Sequence, residues 1–187
     1  MKGNGKPTIT VVGDVMLDRY LIGDVTRLNL EAAGVVMDIE REDLRLGGAA
    51  SVAMLASSLG ADVTLAGVIG RDVPGGQVLD LLDAHEIAPH LWADSSRPTT
   101  NKTRFILRGQ LRPDRFDFES KTPIPGDAAE YLAACPIGDA VLIQDYGKGV
   151  CTASLLRSLL TQAVQHIFVV ARRFQSAFSG RLRIWKD

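Results

Sequence analysis

Cysteine is scarce in this chain. Only Cys135 and Cys151 occur in 187 residues, and they fit neither a disulfide framework nor a metal-ligand pattern, so they read as buried free thiols. No basic excess exists: 21 Lys and Arg stand against 22 Asp and Glu, a formal net charge of −1. That argues against a dedicated binder of nucleic acid or of an anionic membrane, either of which needs a positive surface. No apolar run approaches the roughly 20 residues that span a bilayer, and Met1 to Pro7 carries no signal-peptide core. The histidines are His85, His90 and His166. They show no ligand spacing and no nucleophilic triad, so no metal site is expected. Internal repeats and low-complexity tracts are missing too. A cytoplasmic protein with no nucleic-acid or membrane partner is the resulting expectation.

What is present is an alternation of apolar strands and helices. Hydrophobic residues make up 46% of the chain, enough for one domain with a real core or for an incomplete piece of a larger one. The β-branched run Thr8–Gly13 predicts a buried first strand, and residues 62–68, 140–143 and 166–170 read the same way. Between them, 48–59 and 152–164 predict helices, as does 74–85, where Pro74 opens the first turn and Val78, Leu81 and Leu82 form an apolar face. Such alternation implies right-handed crossovers and a parallel sheet covered on both faces. The fold class is α/β. Two stretches interrupt it: residues 19–46, with an extended run at Val35–Glu40, and residues 101–119, where Arg112-Pro113-Asp114 predicts a turn between two strands. Strands inserted in this way form either a small sheet over a site or a surface hairpin.

Four clusters are placed where chemistry occurs in parallel sheets, at the carboxyl ends of strands or facing them. Asp14 and Asp18 follow the first strand; they suit either sugar hydroxyls or a helix cap with a salt bridge to Arg19. Gly47 and Gly48 precede a helix, with Ser51 one residue pair on. Paired glycines allow close approach to a ligand but also serve a plain turn. No Gly-Lys-Ser/Thr and no Gly-x-Gly-x-x-Gly follows, which excludes a Walker loop and a dinucleotide fingerprint. Lys102, Arg104 and Arg108 alternate with Thr103, Phe105 and Leu107, so one strand face is basic. That face suits a phosphate-bearing substrate or merely a solvated edge. Asp145-Tyr146-Gly147-Lys148-Gly149 puts an acid, a base and two glycines in one loop, a possible active-site loop built on Asp145 and Lys148.

Leu46-Gly47-Gly48-Ala49-Ala50-Ser51-Val52-Ala53, with Gly60 and Gly70, resembles the first signature of the PfkB/ribokinase carbohydrate kinases. Val12 to Tyr20, Pro98 to Arg104 and Asp145 to Gly149 are closest to its heptose-7-phosphate kinase subgroup, and the likeness runs from about Thr8 to Val170. The resemblance implies a ribokinase-like sandwich whose inserted strands, 19–46 and 97–119, form a β lid. It also implies transfer of the γ-phosphoryl of ATP to a sugar hydroxyl with Mg²⁺, and a homodimer joined through the lid. Carried over by position, Asp18 and the Gly47-Gly48 turn bind sugar hydroxyls, while Lys102 and Arg104 reach toward the substrate phosphate.

The departures shape the expectation as much. Ser51 stands where the family usually has Asn, and Leu30 and Ala33 where the subgroup tends to have proline. The spacing from Arg108 to Arg115 is one residue longer than usual. After Val170 comes Ala171-Arg172-Arg173-Phe174, leaving 171–187 an off-family tail. No Gly-x-Gly-Asp occurs, so the aspartate base and anion hole of the family have no counterpart, and no catalytic residue is assigned. Residues 1–187 are therefore expected to be one incomplete ribokinase-like domain, truncated on its C-terminal, ATP-binding side and weakly active or inactive alone. The competing expectation is a non-catalytic module that binds sugar phosphates or pairs lids.

Overall fold

The computed structural model describes residues 5–29, 34–107, 114–162, 166–171 and 183–185. Arg108, Leu30, Ala33, the Arg112-Pro113 turn and 172–174 lie outside these. Strands β1 (Thr8–Gly13), β2 (Val15–Asn29) and β3 (Gly34–Gly48) lead into helix α1 (Ala49–Ser58) and β4 (Asp62–Gly70). Helix α2 (Val73–Ala84), β5 (Ala88–Asp94), β6 (Thr100–Leu107) and β7 (Asp114–Phe118) follow. Helix α3 (Gly126–Ala133), β8 (Ala140–Asp145), α4 (Ala153–Leu160), β9 (His166–Ala171) and β10 (Arg183–Trp185) complete the order.

Six of these strands form one sheet in the order β10-β9-β8-β1-β4-β5, with every neighbouring pair parallel. Side chains alternate along a strand, so the adjacent Val11 and Val12 of β1 serve opposite faces, and both are fully buried. On one face, Ala49 and Ala53 of α1 and Val78 and Leu82 of α2 pack on Val11 and Leu65. On the other, Leu132 of α3 and Leu155 and Leu159 of α4 pack on Val12, Val141 and Ile143. Each fully buried aliphatic side chain of this kind contributes roughly 1.5–3 kcal/mol. The helices thus hold the sheet from both sides, and its carboxyl edge, at Gly13, Gly70 and Asp145, is left for function.

The remaining strands form a second sheet in the order β3-β2-β6-β7. The lid pair is longer than expected: β2 and β3 span 15–29 and 34–48 rather than beginning at 19. The long strands run antiparallel, with Asp18 opposite Arg45 and Tyr20 opposite Asp43. On its other side β2 is parallel to β6, pairing Asp18 with Lys102 and Tyr20 with Arg104. Strand β7 then pairs Asp117 with Lys102 and Arg115 with Arg104. Paired residues share a face, so one face is charged and carries Tyr20. The opposite face is mostly apolar, with Leu17, Leu21, Phe105 and Phe116 beside Thr103 and the Arg19–Glu42 ion pair, and the Phe105 and Phe116 rings meet edge-to-face at 5.2 Å.

Besides β10, which falls in the stretch read as a tail, two elements escape the sequence reading. Strand β5 holds Pro89 and His90; it lies at the sheet edge, where a proline costs no ladder bond on the open side. Helix α3 is an eight-residue, alanine-rich helix of about two turns with Pro125 at its N-cap position, too short to declare itself by periodicity.

Candidate functional site

The site is built around Asp14, the residue between β1 and β2. Its side chain is only 1% exposed, and its carboxylate accepts three backbone N–H bonds. These come from Tyr146 at 2.7 Å, Lys148 at 3.1 Å and Val150 at 3.3 Å. Burial pushes its carboxyl above the usual range, and the three N–H groups offset part of that rise. Asp14 was expected beside Asp18 as a sugar ligand. The structure gives it another role: both oxygens are taken by the loop that follows β8, and Asp14 shapes that loop. The backbone N–H of Asp14 in turn donates to Gln144 at 3.0 Å, and its carbonyl accepts from Ala49 at 2.9 Å. One residue therefore ties the ends of β1 and β8 to the start of α1.

The glycine turn meets the same point. Gly48 has φ +56°, and a Cβ there would lie 2.3 Å from the Asp14 carbonyl oxygen; only glycine accepts both demands. At Gly47 a Cβ would fall 2.5 Å from Asp18 Oδ2, so the missing side chain makes the space that the Asp18 carboxylate fills. Ser51 turns its hydroxyl back to the Gly48 carbonyl at 2.8 Å, which leaves oxygen lone pairs but no free donor toward the turn.

Asp18 lies on the charged face of the second sheet. Its Oδ1 accepts a hydrogen bond from an Arg104 guanidinium nitrogen at 2.5 Å, with both side chains 21% exposed. The Arg104 guanidinium also sits 5.2 Å from the centre of the Tyr20 ring, and that of Arg45 lies 4.7 Å from the same ring. Arg45 is bonded to Asp43; Lys102 Nζ lies 3.4 Å from Asp117 Oδ2. The basic face expected of Lys102 and Arg104 is thus present, beside Asp18 and Gly47, while Thr103 is buried on the reverse and bonded to Asn101 at 3.3 Å. The acids Asp18, Asp43 and Asp117, interleaved with these cations, were not foreseen apart from Asp18. Their signal was the odd–even alternation along three strands, which is readable only once register is known.

Asp145 and Lys148 come together with a cleft of 640 Å³ at the carboxyl end of β8, lined also by Lys121, Tyr146, Cys151 and Thr152. Asp145 Oδ1 accepts the Gly147 N–H at 2.8 Å. The Lys148 ammonium is paired with Glu119, whose carboxyl that contact holds below the usual range. Burial raises the Cys151 thiol well above its ordinary value, which disfavours the thiolate there.

Two supporting residues were missed. Arg97 donates to the carbonyls of Thr122 at 2.6 Å and Lys148 at 3.5 Å, and its Nε lies 3.2 Å from Asp94 Oδ2. It thereby locks the approach to β6 against the loop. Asp72 caps α2 by accepting from Gly75 N–H at 2.9 Å and also accepts the Thr99 hydroxyl at 2.6 Å and N–H at 2.9 Å. The sequence signal for the cap was an Asp two residues before Pro74. Among the described residues, no three or more His, Cys, Asp or Glu side chains gather as a metal cluster. Nor is any helix of the described residues long and apolar enough to cross a membrane.

Residues 6–117 match the pfkB family of carbohydrate kinases. The chain belongs to that family. The bifunctional protein HldE of Wolinella succinogenes is 37% identical over 164 residues, covering 84% of this chain and 34% of the relative. The D-beta-D-heptose 7-phosphate kinase of Bordetella bronchiseptica is 38% identical over 160 residues, covering 84% of this chain and 50% of that protein. The chain therefore spans one third to one half of the relatives it matches. Among solved structures, Arabidopsis thaliana ribokinase complexed with ribose and ATP superposes with a TM-score of 0.60 at 13% identity. It covers 89% of this chain and 54% of that one. Phosphofructokinase-2 from Escherichia coli, in its tetrameric inhibited form, gives 0.61 at 16% identity, covering 89% and 55%. These likenesses confirm the α/β, mainly parallel, ribokinase-like fold of this pfkB-family chain.

Proposed function

We propose that this chain binds a phosphorylated sugar as the acceptor half of an ATP-dependent carbohydrate kinase of the heptose-7-phosphate type, in the cytoplasm. The observation that carries the reading is the juxtaposition of Asp18 with Arg104 and Lys102 against the Gly47-Gly48 turn. A carboxylate there can accept from sugar hydroxyls, while an arginine fork and a lysine supply donors and positive charge for a phosphate. Gly47 and Gly48 let the sugar approach the backbone, and Ser51 offers an acceptor beside them. Asp145 and Lys148 stand at the neighbouring cleft, on the loop that Asp14 shapes. ATP and Mg²⁺ are the donor and ion of such a reaction. In phosphoryl transfer, holding the acceptor in line is a large part of catalysis, and that is the contribution of these residues.

The partners of this reading are a sugar phosphate and a second copy of the chain. The lid leaves Phe116 at 55% and Phe118 at 57% exposed, apolar surface of the kind that a partner covers. Calorimetry with heptose 7-phosphate tests the site. Arg104→Ala should weaken binding by roughly 1.5–3 kcal/mol, the scale of a charged hydrogen bond, and Thr103→Ala should leave it unchanged. Equal affinity of wild type and Arg104→Ala would refute the assignment.

A further inference from the structure

The two groups assigned to opposite ends of the substrate are bonded to each other. Asp18, placed for the sugar hydroxyls, accepts from Arg104, placed for the phosphate, at 2.5 Å. We infer that this ion pair is a specificity gate: a phosphate is needed to take Arg104 so that Asp18 becomes available to the sugar. The inference rests on the function proposed above.

Among the described residues, the neighbouring charges leave Arg104 with one carboxylate partner in contact. On the charged face, Asp43 is held by Arg45, and Asp117 is shared by Lys102 and Arg115. Across these two rows four cations, Arg45, Lys102, Arg104 and Arg115, face three acids, Asp18, Asp43 and Asp117. These two rows therefore carry one net positive charge, and Asp18 is the acid assigned to a ligand. Tyr20 fixes the geometry, since its ring lies within 5.2 Å of both Arg45 and Arg104 and keeps two guanidinium groups close together despite their like charge. Burial alone would lower the Arg104 pKa, yet the hydrogen bond and charge of Asp18 raise it. The contact is a working partnership between the two groups.

A sugar phosphate brings a dianion that replaces Asp18 on Arg104 and, in the same event, frees Asp18 to accept from hydroxyls. An unphosphorylated sugar brings hydroxyls alone. To engage Asp18 it must break the ion pair and leave Arg104 without a partner in a site only about one-fifth exposed. Discrimination thus arises both from attraction to the phosphate and from a penalty on its absence.

The two variants that break the pair predict opposite responses, measured by calorimetry with heptose 7-phosphate, the same heptose without phosphate, and inorganic phosphate. Arg104→Ala should lose about tenfold or more for the sugar phosphate and tighten the unphosphorylated heptose by about twofold to fivefold, the scale of a partly exposed ion pair. Asp18→Asn keeps the side-chain shape and should tighten inorganic phosphate while weakening the heptose. Far-UV circular dichroism checks that each variant is folded, and either one alone is sufficient for the test. If Arg104→Ala weakens the sugar phosphate but leaves the unphosphorylated heptose unchanged, the phosphate site stands and the gate is refuted. Equal weakening of both sugars would overturn the site assignment and the gate together.

Discussion

Asp14 and Asp18 carry the same carboxylate four residues apart, and their partners separate them. Asp18 meets a side chain that a ligand can replace. Asp14 is itself almost fully buried and meets three backbone N–H groups, which a ligand cannot take over without undoing the loop. Asp14→Ala should therefore destabilise the chain by roughly 1–3 kcal/mol or more, the cost of leaving even one buried donor unpaired. Urea unfolding would show this as a lower midpoint with an unchanged slope; an unchanged midpoint would mean that the loop finds other acceptors. Asp14 was legible in the sequence as a carboxylate at a strand end, but nothing local says that its partners lie 132 to 136 positions later. Arg97 was illegible for a related reason: apart from nearby Asp94, its acceptors are main-chain carbonyls, which every residue has.

At the scale of elements, the lid joins the core through the cap of α2. Asp72 starts that helix and at the same time holds Thr99, the residue before β6, while the Thr99 hydroxyl accepts the Gly70 N–H at 2.8 Å. Burial alone would raise the Asp72 carboxyl. The bonds from Thr99 and Gly75 outweigh it and hold the group below its ordinary value of 3.8. A carboxyl depressed in the native state contributes stability that is fully present above its unfolded value and is lost as pH falls through the native one. Asp72→Ala should cost roughly 0.5–2 kcal/mol at neutral pH, as a lost N-cap does, and the difference from wild type should shrink as pH drops below 3.8. Thermal unfolding across that range is the measurement, and a gap that stays constant would exclude Asp72 as its source. The α2 helix itself was readable from Pro74 and its apolar face, and the β6–β7 pair from alternation. By contrast, β5 and α3 were not, because an edge strand containing proline and an eight-residue helix owe their form to the neighbours they pack on.

For the whole molecule, the charged and apolar faces of the second sheet divide two tasks. The charged face holds the proposed sugar-phosphate site. The apolar face packs Leu17 and Leu46 into the core near its base, but farther out it leaves phenylalanines in water. Standard interfaces bury about 1,600 Å² in total, and a paired lid is the surface proposed to supply it. Replacing both Phe116 and Phe118 by Asp should convert a dimer to a monomer in light scattering while leaving sugar-phosphate binding within about twofold, since charges at an apolar interface core are strongly disfavoured. A wild-type chain that is already monomeric at micromolar concentration would rule the paired lid out.

What the sequence determined by itself is local. The β-branched run of β1, the Gly47-Gly48 turn at the head of α1, the alternating basic and apolar positions of β6 and the Asp145–Gly149 loop each follow from neighbours a few residues away. Periodicity and turn chemistry act at that range. Only the tertiary structure decided which of these groups meet. Asp18 and Arg104 are 86 positions apart and bond because β2 and β6 are adjacent in one sheet with a fixed register. Strand order and register are settled by the burial of whole faces, a property of the assembled layers that no short stretch of chain contains.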